Sequence, residues 1–338
     1  MTGHAADPIV TADLSADCAL DLVIGRVVAR FWRSLEQEDR GAAMWWLRYD
    51  ESGECLKLRL HADNDREESL RGALHEAAAY FLDRPVSLPP AEPAETTVSS
   101  LSRAPPIDVE DGSEDDCRPL LSFTTYRRHP VSLGPSPFLE DDACVEALTH
   151  ALSLASDTIV DAAAEDEGEG LTTRRQAVLI GLLAEALPGL GPRAEDYVHY
   201  HRDWLIRAPL LKRNGGSAHG EEMLRRLERF AADRSAQIDL LRSTLDLTPA
   251  EPTPAAKAVT RLVNEAERCA KAACVIVDPF SAERSFPVVF KLFHGWANAL
   301  GLSRVDEAFT HHLLARTFRS QPRSNEDFSI FPFAGEFS

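Results

Sequence analysis

The hydrophobic period of this chain changes once, near residue 139, and that change limits the architectures open to it. Before it, short runs alternate apolar and polar side chains between a few helical stripes. After it, apolar residues recur at helical spacing almost to residue 318. A chain patterned this way folds as α+β: a small mixed or antiparallel sheet with flanking helices, then a mostly helical C-terminal half.

The first stripe covers 18–35, with arginines on its outer face. Two strands follow at 42–49 and 55–61, joined by a turn at 51–53. In the second strand Leu56, Leu58 and Leu60 share one face, so Lys57, Arg59 and His61 line the other. A helix from 65 to about 84 carries Leu70, Leu74, Ala77 and Phe81 on one stripe. The stretch 89–119, rich in proline, serine and acid, reads as a long mobile loop, and 120–129 resumes as a strand. Helices are expected at 139–163, 172–187, 193–207, 219–246, 255–277, 286–300 and 303–318, separated by GEG, PGLGP, NGGSAHG and TPAEPTP. The organisation expected is a sheet-containing part at 1–135, a helical part at 136–320 and an irregular tail at 321–338, joined in one integrated domain.

Charge and motif content narrow the function. The 338 residues carry 54 acidic against 36 basic side chains, a formal net charge of -18, which disfavours a nucleic-acid partner. No long uncharged apolar run or basic-then-apolar amino terminus predicts a membrane span or signal segment. The six cysteines are scattered without metal-ligand spacing, consistent with reduced thiols in a cytoplasmic protein. Phosphate loops, serine elbows and paired-histidine metal helices are absent from the sequence, so neither a metal nor a cofactor is expected. His311 and His312 are adjacent, point about 100° apart on a helix, and read as surface or packing residues. Tyr197, Tyr200, His201 and Trp204 share one helical face, read first as packing and second as a peptide groove.

Three motifs in order carry a resemblance. Arg48 and Tyr49 precede a run in which Leu56, Leu58 and Arg59 stand at family positions, with Cys55 and Lys57 as departures. Thr125, Tyr126, Arg127 and Arg128 form the second motif, where His129 and Ser132 replace a glutamate and an arginine. His294 and Asn298 mark the third, where a second histidine and an arginine have become Trp296 and Ala299. Together they resemble the elimination domain of lantibiotic dehydratases. That family removes glutamate from glutamylated serine or threonine and binds the departing dicarboxylate with guanidinium groups. The lost arginines and glutamate point instead to its thiopeptide branch, which closes a pyridine from two dehydroalanines by a formal four-plus-two aza-cycloaddition.

The resemblance implies a leader-bearing precursor peptide as partner, together with other enzymes of the same pathway. It implies His294, Arg59, Tyr126 and His129 as catalytic groups. Lys57, Arg127, Ser285, Trp296 and Asn298 are the expected peptide contacts, Trp296 by stacking on a thiazole if exposed. Ser285 is also a natural helix cap ahead of Pro287. The alternatives are a stand-alone glutamate-eliminating component of a split dehydratase and a catalytically inert peptide-binding scaffold.

Overall fold

The computed structural model describes residues 9–15, 20–35, 43–49, 55–61, 66–82, 120–126, 138, 141–164, 171–211, 216–232, 238, 251–273 and 283–318. The expected loop at 89–119, the turn at 51–53 and the tail at 321–338 lie outside these residues.

Four antiparallel strands form one sheet: β1 (Ile9–Ser15), β2 (Ala43–Tyr49), β3 (Cys55–His61) and β4 (Leu120–Tyr126), in the order β2-β3-β1-β4. β2 and β3 match the alternating runs of the sequence. β1 is a strand the pattern concealed: its alternation rests on Val10, Ala12 and Leu14, and alanine is a poor strand marker. It nevertheless takes an interior place, pairing β3 on one side and β4 on the other.

Register sorts the side chains by face. Leu58 lies opposite Trp46 and Leu56 opposite Arg48, while Arg59 lies opposite Trp45 and Lys57 opposite Leu47. Leu56, Leu58 and Leu60 are fully buried, as alternation requires. The face carrying Lys57 and Arg59 is also largely covered, because Arg59 is 7% exposed and Trp45 and Leu47 beside it are buried.

The first helical stripe runs as α1 (Leu20–Val23), a π-helical turn (Ile24–Val28) and α2 (Ala29–Ser34), and α3 is Glu67–Leu82. The single helix expected at 139–163 is two, α4 (Asp142–Ser153) and α5 (Ser156–Ala164). Just past the break, the Ser156 hydroxyl donates to the Met44 carbonyl on β2. Asp141 caps α4 by accepting from the Cys144 N–H at 3.0 Å.

The remaining helices are α6 (Leu171–Ala186), α7 (Ala194–Leu211), α8 (Gly216–Ala232), α9 (Pro254–Ala273), α10 (Phe286–Ala299) and α11 (Arg304–Phe318). A 3-10 turn, Leu187–Arg193, joins α6 to α7, and Gly191 kinks the helical path there at φ 58°. Gly189 in that turn packs so closely on α9 that a Cβ would collide with the Ala256 carbonyl and approach Val259 Cβ to 2.9 Å. By length and composition alone 171–207 is apolar enough to cross a membrane. In this fold it is broken at Gly191, and both halves pack on neighbouring helices, α6 on α9 and α7 on α11. One hydrophobic cluster runs from Leu14 to Ala315 and joins sheet to helices.

α10 ends in a Schellman motif. Gly301 N–H donates to the Asn298 carbonyl at 2.9 Å and Leu302 N–H to the Ala297 carbonyl at 3.0 Å, with Gly301 at φ 73°. The Arg48 guanidinium lies where a Cβ on Gly301 would stand. Asn298 then ties this end to the edge of β2: its Oδ1 accepts from Arg48 N–H at 2.7 Å, and its Nδ2 donates to the Arg48 carbonyl at 3.1 Å. Trp46 Nε1 and the Arg48 guanidinium both donate to the Ala299 carbonyl. The half-buried Asp21 carboxylate receives Arg48 at 2.7 Å and Arg175 at 2.8 Å. Burial favours its neutral form, and the two guanidiniums outweigh that, holding its carboxyl below the usual range.

Candidate functional site

The third motif opens onto a chain of titratable side chains where α7, α10 and α11 meet. On α7, Tyr197 and His201 are four residues apart and face inward together. On α11, Glu307 and His311 repeat that spacing and are also buried. α10 contributes Phe286, Phe290 and Phe293 to the packing, and His294 follows Phe290 by one turn.

The contacts run in sequence. Tyr197 Oη lies 2.7 Å from His201 Nδ1, and His201 Nε2 lies 2.7 Å from Glu307 Oε1. Glu307 Oε2 lies 2.8 Å from His294 Nδ1. Proton positions follow from donor and acceptor capacity. A carboxylate accepts only, so His201 donates through Nε2–H; burial favours the neutral ring, whose Nδ1 then accepts the Tyr197 hydroxyl. His294 donates to Glu307 through Nδ1–H. His311 donates through Nδ1–H to the Glu307 carbonyl at 3.0 Å, leaving its Nε2 lone pair buried without a partner.

Electrostatics divide the histidines. Burial pushes His311 down to about 3, with neighbouring His201 adding to the shift. Burial lowers His201 too, against the opposing pull of Glu307. Burial also disfavours charge on His294, but the Glu307 carboxylate and its hydrogen bond outweigh this and hold His294 above the ordinary histidine value. Glu307 is the mirror case. Burial would raise it, and His294 together with the two imidazole hydrogen bonds brings it well below the usual carboxylate range. Burial raises the Tyr197 hydroxyl well above its usual value, so it stays a donor. The result is a buried Glu307 carboxylate that favours the charged form of His294, backed by two neutral imidazoles.

His294 is the open end. Its side chain is 38% exposed, whereas Glu307 is 1% and His201 0%. Phe290 stacks on its ring with centroids 5.3 Å apart, and Trp204 packs on Phe290 at 4.3 Å. Arg304 lies over the Trp204 ring, 5.3 Å from the centroid, a cation–π distance. Lys291 sits one turn before His294, and burial pushes its amine down to about 8.

His201, Glu307 and His311 offer donor atoms within 4.8 Å of one another, close enough to consider a metal ion. Their orientation does not suit one. The two imidazole rings stack with centroids 3.7 Å apart and only 9° between planes. Lone pairs in nearly parallel planes cannot both point at one ion about 2.0–2.1 Å away. His201 Nε2 is, besides, already committed to the carboxylate. The trio is a hydrogen-bond chain with a stacked neighbour.

The residues singled out in the sequence do not all gather here. His294 does. Trp296, three places on from Phe293, is 2% exposed and donates through Nε1–H to the Leu152 carbonyl at 3.3 Å, so it packs α10 on α4 and offers no face to a thiazole. Asn298 spends both ends of its amide on the Arg48 backbone, and is structural. Ser285 is fully buried, its side chain caps no N–H, and its hydroxyl has no hydrogen-bond partner.

Arg59 and Lys57 lie on the sheet face opposite the one from which Trp46 and Arg48 reach α10, because their cross-strand partners are Trp45 and Leu47. They are not joined to His294. Tyr126 ends β4 opposite Ile9, and Arg127 and His129 lie outside the described residues. His312 and His311 are both buried, so packing describes them and surface does not.

Glu307 was missed, as was the role of Tyr197 and His201. Two i, i+4 pairs, Tyr197 with His201 and Glu307 with His311, were the available signal. Nothing in the sequence alone says that two helices about 100 residues apart turn those faces toward each other.

Comparison with known proteins agrees with this architecture. No curated protein matches the chain. Among solved structures, the pyridine synthase TbtD from thiomuracin biosynthesis has a similar fold, with a TM-score of 0.53 at 14% identity over 92% of this chain and 97% of that one. The lantibiotic biosynthesis dehydratase C-terminal family matches residues 14–318, from the end of β1 to the last residue of α11. On that match, which takes in nearly the whole chain, the protein belongs to the lantibiotic biosynthesis dehydratase C-terminal family.

Proposed function

We propose that this protein is a pyridine-forming cyclase acting on a ribosomally made peptide that has already been dehydrated. Two dehydroalanines of an azole-bearing peptide would be joined by a formal four-plus-two aza-cycloaddition. Loss of water and of the leader peptide as an amide then leaves a pyridine at the head of a macrocycle. The observation that carries the reading is His294: a part-exposed imidazole, hydrogen-bonded from behind by a buried carboxylate that favours its charged form, at the third family motif. The reaction needs two alkenes held together, which binding supplies, and proton transfer to the amide and leaving groups, which a positioned imidazolium supplies. The substitution of Ala299 for the family arginine supports it, since a guanidinium clamp for a departing dicarboxylate is reduced there. The fold is one that a pyridine synthase, TbtD, also has.

In this reading His294 is the proton-transfer group, and Lys291, Arg304 and Trp204 line its approach. Arg59 and Lys57, on the far side of the sheet, are assigned with Tyr126, Arg127 and His129 to holding the peptide. A second reading has one observation in its favour. Lys291 and Arg304 bring positive charge beside His294, which suits a glutamyl carboxylate and therefore glutamate elimination. Mass spectrometry of products separates the two. The protein alone, given a leader-bearing, fully dehydrated, azole-containing peptide, is expected to yield a cyclised core and a leader amide. An unchanged peptide, with glutamate released from a glutamylated one, would reverse the assignment.

A further inference from the structure

Glu307 is a carboxylate without appreciable exposure, bonded on each oxygen by an imidazole from a different helix. Burying such a charge is expensive, and a paired buried charge seldom stabilises more than apolar residues of the same volume. Its place therefore calls for a role beyond tying α7, α10 and α11 together. On the other side of the carboxylate, Tyr197 and His201 fix Oε1, so Oε2 has one direction left, toward His294 Nδ1. The Tyr197 ring is itself gripped edge-on by Phe286 at 5.2 Å and Phe293 at 5.4 Å. Packing and hydrogen bonds hold the chain from its buried end outward.

We propose that Glu307 is a positioning residue that turns His294 with Nδ1–H inward and Nε2–H outward and keeps it as the imidazolium acid that serves the departing leader nitrogen. This rests on the cyclase reading above. In the step concerned, the bond between the dihydropyridine ring carbon and the leader amide nitrogen breaks. Its electron pair leaves with nitrogen, which takes the Nε2 proton. The ring then sheds one proton to complete its aromatic system, and the freed Nε2 lone pair accepts it, restoring the imidazolium. Atoms and charge close without an oxidant or reductant. Among the described residues, the charged and titratable groups around His294 are Glu307, Arg304 and His311 on α11, His201 on α7 and Lys291 on its own helix. Glu307 is the anion among them, so its charge decides the protonation of His294.

The test is a histidine-ring NMR titration of the full chain without peptide, paired with pH profiles of kcat on the dehydrated peptide, for wild type and Glu307→Gln. Wild-type His294 is expected to titrate above the ordinary histidine value, and the glutamine variant to bring it down. At pH 7.5 the variant's kcat should fall about 10²-fold. Its alkaline limb should move to lower pH, with KM changed by less than roughly threefold. In a His294→Gln background, Glu307→Gln should add no further loss, because the two groups act as one unit. An ordinary or lowered His294 titration in wild type overturns the proposal, and needs no variant to fold. So does a variant slowed equally at every pH with its limb in place. If His294 titrates high but wild type leaves the dehydrated peptide unchanged, the cyclase reading fails, and the acid role with it. The first two results sink the role of Glu307 alone.

Discussion

His311 puts a measurable acid sensitivity into the helical half. Its ring is fully buried, its Nε2 has no hydrogen-bond partner, and burial pushes it from 6.5 down to about 3. Because the folded value is depressed, the unfolded chain binds this proton first. The stability tied to neutral His311 is therefore complete above about pH 6.5 and drains away as pH falls toward 3. Each unit in that window is worth about 1.4 kcal/mol, so going from pH 7.5 to 5.0 removes about 2 kcal/mol through this one group. His201 is lowered too and adds to the loss, whereas the raised His294 acts only above its unfolded value, outside the acid limb.

The variant that isolates the effect is His311→Phe, which keeps a flat ring against His201 and cannot titrate. It gives up the bond to the Glu307 carbonyl, worth about 1 kcal/mol, and relieves an unpaired buried acceptor that costs about 1–3 kcal/mol. Its stability at pH 7.5 should therefore stay near that of wild type. Urea unfolding, followed by tryptophan fluorescence and far-UV circular dichroism so that one transition is verified, gives the free energy at both pH values. Wild type should lose about 2 kcal/mol more than the variant between pH 7.5 and 5.0. Equal losses would refute the reasoning, since His311 would then not be held neutral by its burial.

Asn298→Ala removes both ties to Arg48 and strands a backbone N–H, so urea unfolding should show a loss of about 1–3 kcal/mol. Leader-peptide affinity, measured by fluorescence anisotropy, should be unchanged in the same variant. Gly189→Ala sets a methyl against the Ala256 carbonyl and should cost about 1–3 kcal/mol, read as a lower urea midpoint at unchanged slope. Lys291, with its amine near 8, should react with an acylating reagent at pH 8 ahead of exposed lysines, as peptide mass mapping can count. Labelling at the rate of ordinary surface lysines would contradict the lowered value of its amine.

How much of this was legible in the sequence depended on whether the signal was local. Leu56, Leu58 and Leu60 announced β3, and the apolar stripes announced α6, α9, α10 and α11 within a few residues, because period is read from neighbours alone. β1 was not legible, since its central position depends on pairing with strands about 45 and 110 residues away. The break between α4 and α5 was hidden too, and just past it runs a bond from Ser156 to β2.

At the site, His294 stood out by its motif. Trp296 and Asn298 stood out equally and proved to be packing and bracing groups. Residue type alone does not tell an indole that stacks on a ligand from one that seals two helices. Glu307 could not be found at all without knowing which helix faces α7.

The bracing of β2 has a consequence for the sheet. In an antiparallel ladder alternate residues turn their amides outward, and Met44 and Arg48 share that parity. The Met44 carbonyl is taken by Ser156, and both backbone groups of Arg48 are taken by Asn298. This margin is thus plugged by side chains at two rungs, where a bare one would template another chain. An extended peptide cannot add itself as a fifth strand here without stripping off a serine and an asparagine. A polymer of these molecules cannot start from this border either.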